Sequence, residues 1–343
     1  MKNILIISLN SGGTMGHGKI ITSLAKFLSK NNKNVTIMSD MSFSRNFDVD
    51  KNVNVKNLHE VAHINYTIGG MCDYSQKNET YNFAIENGID CVILSTFFDL
   101  NLVKKFKDKK IKTILLNYPL RDTYRLALKQ NKAYAVFDKV MTLYGPEFKD
   151  IKMQNEIIVN PLNIAKKEFK KNLKNDILVT CGGGGRPSSK IFLRKVILAL
   201  RKIVKENEDL KITVIRGNSK SDLANDNFET VVWKKDFGSL LSSSKVIISE
   251  AGYFTMLDLI NYNKKALLIP GERIIDNQEI RALKLEELGI GKIFFPFEKV
   301  SKLTSIIRDF LNKENSNKEN YQKIVDEFNQ YWDLGKVLLE ELK

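Results

Sequence analysis

From its first residues the chain alternates two patterns. Short apolar, β-branched runs such as ILIIS at 4–8 are followed by stretches whose apolar positions recur every three or four residues. One such stretch is Lys19 to Lys30, where Ile20, Leu24, Phe27 and Leu28 share a face. Strands are predicted at Val35–Met38, Val53–Val55, Cys91–Ser95, Thr113–Leu116 and Val140–Leu143, with helices over Thr80–Asn87 and Asp122–Asn131 between them. Strands that are apolar throughout belong to parallel sheets covered on both faces. After the basic stretch NPLNIAKKEFKKNLKN the pattern starts again, with strand DILVT, a glycine loop CGGGGRP and an amphipathic helix from about Ser188. Strands KITVIR, TVVW, KVIIS, KALLIP and KIFF then alternate with helices from Asp236, Thr255, Asn277 and Lys299. The reading is an α/β protein of two Rossmann-like, doubly wound domains facing a central cleft. Domain one spans 1–160, a linker 161–175, domain two 176–316, and helices over 317–343 are expected to pack back on the first domain.

Composition narrows the function. The 343 residues are 43% hydrophobic and 27% charged, as in a globular protein with a substantial core. Lys and Arg number 54 against 40 acidic residues, a formal charge of +14 that draws phosphates, nucleic acid or anionic lipid. No aromatic-interleaved basic strip or known reading module is present, so nucleic acid is not expected as a partner. The basic run Lys104, Lys105, Lys107, Lys109 and Lys110 reads first as a solvated face and second as a docking surface for anionic lipid. With no apolar run of about 18 residues and no signal-peptide cleavage site, the expected location is the cytoplasm, with a peripheral position on the inner membrane face as a variant. Cys72, Cys91 and Cys181 are odd in number and widely spaced, as reduced thiols are. His59-Glu60-Val61-Ala62-His63 spells HExxH, but no further histidine follows and its neighbours are poor helix formers, so a zinc site is not expected.

Two glycine-rich turns sit where a strand passes into a helix, the arrangement that lets backbone N–H groups and a helix N-terminus face a phosphate. The first is Ser11-Gly12-Gly13-Thr14-Met15-Gly16-His17-Gly18, and the second is Gly182 to Gly185 followed by Arg186. Neither matches a dinucleotide fingerprint or a nucleotide-triphosphate loop. Taken with Ser249-Glu250-Ala251-Gly252-Tyr253-Phe254-Thr255 and Arg273-Ile274-Ile275-Asp276-Asn277-Gln278, they make the chain resemble the GT-B glycosyltransferases. Within these it is most similar to glycosyltransferase family 28, the group that holds the N-acetylglucosaminyltransferase of peptidoglycan lipid-intermediate synthesis. The likeness runs over nearly the whole chain in the same order.

That resemblance implies an acceptor-side first domain, a nucleotide-sugar second domain, a UDP-sugar donor substrate, and no cofactor or metal. Gly183, Gly184, Gly185 and Arg186 would approach the donor. Gly252, Tyr253, Phe254 and Thr255 would set helix N–H groups against the diphosphate. Asp258 matches the acidic position that holds the ribose, with Asp for the commoner Glu. Trp233 and Lys234 fall where the base is held, with Phe237 beside them, and Gln278 matches a sugar-binding amide. Glu279 stands where the peptidoglycan enzyme has a second amide, and Glu250 where the family has serine or arginine, which leaves the donor sugar open. His17 is the candidate base, with Gly13, Thr14, Gly16, Asp99 and Asp122 on the acceptor side; Asp99, Asp122 and Glu279 are alternative bases. The acceptor class is a small molecule, glycan or lipid-linked sugar. A nucleotide-sugar hydrolase or 2-epimerase on the same fold, and a non-catalytic nucleotide-sugar-binding subunit, are the competing readings.

Overall fold

The computed structural model describes residues 1–9, 15–39, 49–58, 64–66, 71–148, 153–165, 175–219, 228–234, 237–273, 275–312 and 318–343. They form two compact units, the first built from Met1–Ser11, His17–Ile164 and Phe328–Lys343, the second mainly from Ala165–Glu327.

The first unit starts with β1 (Asn3–Ser8), α1 (Met15–Lys30), β2 (Asn34–Ser39) and β3 (Val53–Asn57). A separate antiparallel pair follows, β4 (Ile64–Tyr66) with β5 (Cys72–Tyr74). Next come α2 (Lys77–Glu86), β6 (Cys91–Ser95), α3 (Leu100–Asp108), β7 (Lys112–Asn117), α4 (Asp122–Gln130), β8 (Lys139–Leu143), β9 (Glu156–Asn160) and the single turn α5 (Leu162–Ala165). The eight-stranded sheet runs β16-β9-β8-β7-β6-β1-β2-β3, all parallel, where β16 is Trp332–Asp333 near the chain's end. Ile4 to Ile7 are wholly buried, as unbroken apolar strands under two helical layers should be. The sequence pattern did not single out β9 or the β4–β5 pair.

The last segment docks on this unit through specific contacts. β16 pairs with β9 in parallel, Tyr331 stacks on Tyr144 at 4.1 Å, and Asp333 caps α12 (Leu334–Glu341) by accepting from the Lys336 N–H at 2.9 Å. Gly335 faces the ring of Phe27 so closely that a Cβ would lie 2.6 Å from Cζ, which explains why Phe27 shares the apolar face of α1. A buried ion pair locks α4 to the sheet: Arg125, 1% exposed, meets Glu156 in a two-point pair at 2.8 and 2.9 Å, and Thr142 donates a further bond to Glu156.

The second unit contains β10 (Asn175–Thr180), α6 (Pro187–Val204), β11 (Ile212–Ile215), β12 (Glu229–Val231), α7 (Phe237–Ser243), β13 (Ser244–Ser249), α8 (Tyr253–Asn261), β14 (Ala266–Leu268), α9 (Gln278–Glu287), β15 (Gly291–Ile293), α10 (Val300–Asn312) and most of α11 (Lys318–Phe328). Its parallel sheet has the order β12-β11-β10-β13-β14-β15, so the chain grows outward one way from β10, then jumps back across it to grow the other way. Leu193, Val196, Leu200, Leu303 and Ile307 pack α6 and α10 on Val179, Val214 and Ile248. The expected strand TVVW ends at Val231 and leaves Trp233 in the following loop, and the expected helix at Thr255 starts two residues earlier, at Tyr253. Among the described residues no helix is long and apolar enough to cross a membrane.

Removing one partner of a buried, two-point ion pair leaves the other charge stranded. Glu156→Ala is expected to lower the unfolding free energy by about 3–5 kcal/mol, and Arg125→Leu/Glu156→Leu to cost less than the single change, measured by urea denaturation.

Candidate functional site

In an open parallel sheet the crevice for a ligand opens where the strand order reverses, at the carboxyl ends of the two strands on either side. In the second unit those strands are β10 and β13, with Thr180 opposite Ser249 in register. The loops that follow are the second glycine turn and the Glu250-Ala251-Gly252 turn.

The glycine turn is tight for a reason internal to the fold. Gly182, Gly184 and Gly185 have φ of +61°, +62° and +76°, a region that favours glycine. Gly184 lies against the loop after β11, where a Cβ would sit 2.6 Å from the Arg216 carbonyl oxygen; a Cβ on Gly217 (φ +55°) would sit 2.4 Å from that of Gly183. The Asn218 N–H donates to the Gly183 oxygen at 2.8 Å, so two loops are joined backbone to backbone. Beside Gly182, by contrast, a Cβ would meet nothing within 4 Å. Arg186, half-buried, is the N-cap residue of α6, with Pro187 at the first helical position.

Glu250 is the centre of the second turn. It is 2% exposed, and its Oε2 accepts from Ser189 at 3.0 Å and from Arg273 Nη2 at 2.8 Å. Its Oε1 has no hydrogen-bond partner among the described residues and lies against Gly271, where a Cβ would come within 2.8 Å. Arg273 also donates to Ser188. One carboxyl group therefore ties the start of α6 to the loop after β14, and Gly271 is what lets that loop pass. Burial raises the Glu250 pKa, opposed by Arg273, by the Ser189 bond and by Arg186.

The turn itself is strained. Ala251 adopts φ +50°, and its carbonyl accepts from Arg281 Nη1 at 2.9 Å. Arg281 is wholly buried, paired with Asp276 at 2.6 Å and set 5.3 Å from the Tyr253 ring. Gly252 then caps α8 without any side-chain hydrogen bond, and the first helical bond runs from the Met256 N–H to the Gly252 oxygen. The N–H groups of a helix's first turn have no acceptor four residues back, which gives this end its positive character. Tyr253 is buried, whereas Phe254 and Thr255 are half-buried.

Trp233 and Phe237 stack at 6.0 Å with planes 9° apart. The neighbouring Gly238 faces the Tyr262 hydroxyl, whose pKa is pushed up to about 12 by burial and by Asp258. Asp258 itself is 3% exposed. Lys234 pairs with Glu229 at 2.5 Å. Gln278 is 4% exposed and its Oε1 accepts from the Gly271 N–H at 3.0 Å, so it shapes the same loop as Arg273, while Glu279 is exposed.

On the first unit, Asp99 accepts from the N–H groups of Asn101 and Leu102 at 2.8 and 3.0 Å, and lies 3.4 Å from Lys77. Its carboxylate caps the helix through Oδ1. Asp122, half-buried, is the first residue of α4. Gly13, Thr14 and the HExxH segment lie outside the described residues, as does the side chain of His17; the backbone of Gly16 and His17 lies in the first turn of α1. Just beyond HExxH the chain is strand β4, not a continuing helix. Of the basic run, Lys105 bonds Asn78 at 3.2 Å and Lys107 pairs with Asp138 at 3.1 Å. Among the described residues no group of three or more His, Cys, Asp or Glu is placed to hold a metal. The three thiols are buried, and burial pushes each up to about 12.

Fold and strand reversal define the class: two α/β units of the GT-B glycosyltransferase kind. The solved Acinetobacter baumannii MurG matches 100% of this chain and 99% of its own, with TM-score 0.60 and 14% identity. The spinosyn forosaminyltransferase SpnP matches 99% and 98%, with TM-score 0.67 and 14% identity. More particularly, residues 176–331 match the glycosyltransferase family 28 C-terminal domain. Two curated relatives, from Clostridioides difficile and Aquifex aeolicus, are each named UDP-N-acetylglucosamine--N-acetylmuramyl-(pentapeptide) pyrophosphoryl-undecaprenol N-acetylglucosamine transferase. The first is 26% identical over 40% of this chain and 36% of its own, the second 26% over 48% and 49%. The chain thus spans about half the length of these relatives or less.

Because Glu250 holds its proton in the folded state at pH values where the unfolded chain has lost it, stability falls as pH rises from the ordinary carboxylate range through the raised native value. Glu250→Gln is expected to remove that part of the slope when Tm is followed against pH beside the wild type. Identical pH profiles would contradict it. Gly217→Ala, which drives a methyl into the Gly183 backbone, is expected to destabilise by about 1–3 kcal/mol, read from denaturant midpoints.

Proposed function

We propose that the protein transfers a hexose or N-acetylhexosamine from a nucleotide-diphosphate donor, with UDP as carrier, to a hydroxyl of a lipid-linked sugar. The observation that carries this reading is the reversal point of the second unit, where the positive ends of α6 and α8 and the Arg186 side chain stand on a loop framework that the Glu250–Arg273 pair fixes before any ligand arrives. That is the electrostatic need of a departing diphosphate. The Trp233–Phe237 stack offers an apolar wall for a base, and Asp258 a carboxylate for a ribose. The printed names of the two relatives support a UDP-linked donor and a lipid-carried acceptor.

The reaction proposed is a single displacement. The acceptor hydroxyl oxygen bonds to the anomeric carbon as the bond from that carbon to the phosphate oxygen breaks. The nucleoside diphosphate leaves with the electron pair, His17 takes the hydroxyl proton, and the anomeric configuration inverts. The helix N-terminus offsets the leaving charge without a metal. The setting proposed is the cytoplasm, at the inner membrane face where such an acceptor is presented.

The test is UDP release from UDP-hexoses and UDP-N-acetylhexosamines with and without a lipid-linked saccharide. Release is expected to need the acceptor, and His17→Ala to lower it by about 10²–10⁴ with UDP binding retained. Acceptor-independent free sugar would replace the reading with a hydrolase, a C2 epimer with an epimerase, and UDP binding without turnover with a binding subunit.

A further inference from the structure

The start of α6 already faces an acid that belongs to the chain itself. After the Arg186 cap come Pro187, Ser188 and Ser189, and the proline brings no N–H to this helix end. Both serine hydroxyls are engaged inside the fold. Ser189 donates to Glu250 Oε2 at 3.0 Å, and Ser188 accepts from Arg273. Arg273 Nη2 reaches the same Oε2 at 2.8 Å, while its Nη1 also donates to the Glu272 carbonyl at 3.0 Å. Glu250 Oε1 is buried with no hydrogen-bond partner among the described residues.

An ionised carboxylate offers about four lone pairs, and here only one of its oxygens is served. The elements packed against Glu250 contribute Cys181 just past β10, Arg186 and Ser189 at the start of α6, and Arg273 on the loop after β14. The two arginines and the Ser189 hydroxyl favour the charged form, burial opposes it, and burial prevails. Two states of the group therefore differ in what they present to the crevice. Ionised, Glu250 neutralises Arg273. Protonated, it leaves the Arg273 charge uncompensated, close to Arg186 and to the positive end of α6.

We infer that Glu250 is the resident anion of this turn and takes up a proton from solvent when a nucleotide diphosphate binds, so that the charge of Arg273 passes from the carboxylate to the ligand. A diphosphate beside Arg186 brings negative charge toward a buried carboxylate, and like charges at short range in a poorly solvated site favour protonation. The same helix end and the same two arginines cannot serve both anions in full. Glu250 is thus a positioning residue that acts through Arg273. The inference rests on the donor site proposed above and adds a proton to its binding step.

The test is calorimetric titration of UDP-glucose and of UDP-N-acetylglucosamine into the intact protein, from the ordinary carboxylate range up to neutral pH, in buffers of different ionisation enthalpy. The diphosphate of these ligands is esterified at both ends and keeps a constant charge over this range, so only the protein titrates. Affinity is expected to fall as pH rises through the raised native value of Glu250, about tenfold for each unit by which the ligand raises that value further. Proton uptake should appear as a heat that varies with the buffer. Glu250→Gln, which mimics the protonated form, should keep the affinity that the wild type has at low pH and lose both the pH dependence and the uptake. Ser189→Ala removes a donor to the ionised form, so its fall in affinity should begin at higher pH; this variant carries the test if Glu250→Gln does not fold. Equal proton uptake in the wild type and Glu250→Gln, an affinity independent of pH in the wild type, or an unmoved profile in Ser189→Ala would overturn the inference and leave the donor site standing. Failure of both ligands to bind at any pH would overturn the donor reading and this inference with it.

Discussion

The close approach of Gly184 and Gly217 is the constraint on which the second unit's chemistry depends. With a side chain at either position, the loops after β10 and β11 would have to separate, and the glycine turn would no longer be held at the strand ends. Because the contact is backbone against backbone, neither loop can give by rotating a side chain. The strand order then does the rest: a parallel sheet whose order reverses between β10 and β13 leaves the two following turns as neighbours, with a helix N-terminus behind each.

Two arginines, Arg281 wholly buried and Arg273 half-buried, hold the other turns to that frame by different means. Arg281 supports a strained residue directly, accepting the cost of a left-handed Ala251 by hydrogen-bonding its carbonyl while Asp276 and Tyr253 hold the guanidinium. Arg273 works across loops, drawn to Glu250 and Ser188 so that the loop after β14 closes on the start of α6. Both fix polar geometry before any ligand arrives, as the proposed stabilisation of a leaving diphosphate would require. The Arg125–Glu156 pair of the first unit shares the chemistry but serves packing, joining α4 to a strand.

The alternation of apolar runs and amphipathic stretches was enough to see two parallel sheets, because a strand buried on both faces writes itself as an unbroken apolar run. Short edge elements escaped for the opposite reason: β16 has two residues and owes its existence to docking beside β9, not to its own composition. At the site, the glycine turn and the Gly252 turn were visible as local motifs. Their true neighbours were not. Gly184 needs Gly217, and Glu250 needs Arg273, pairings that exist only once the strand order is known. An aspartate before an apolar helical run, such as Asp99, reads equally as an acid for chemistry and as a cap, and only the structure shows its two backbone bonds as a cap. Arg281 gave no signal, since a lone arginine in a helix resembles any exposed one until its burial is seen.

The central claim is that the reversal point of the second unit receives the nucleoside diphosphate of a sugar donor. Isothermal titration of UDP into the wild type, Asp258→Ala and the exposed first-unit variant Lys104→Gln tests it most directly. The account predicts binding by the wild type and by the first-unit variant, with affinity lost in Asp258→Ala, and a matching rise in apparent stability of about 2.7 kcal/mol at a hundredfold excess over Kd. Equal affinity in all three proteins, or no binding of any nucleoside diphosphate, would contradict it.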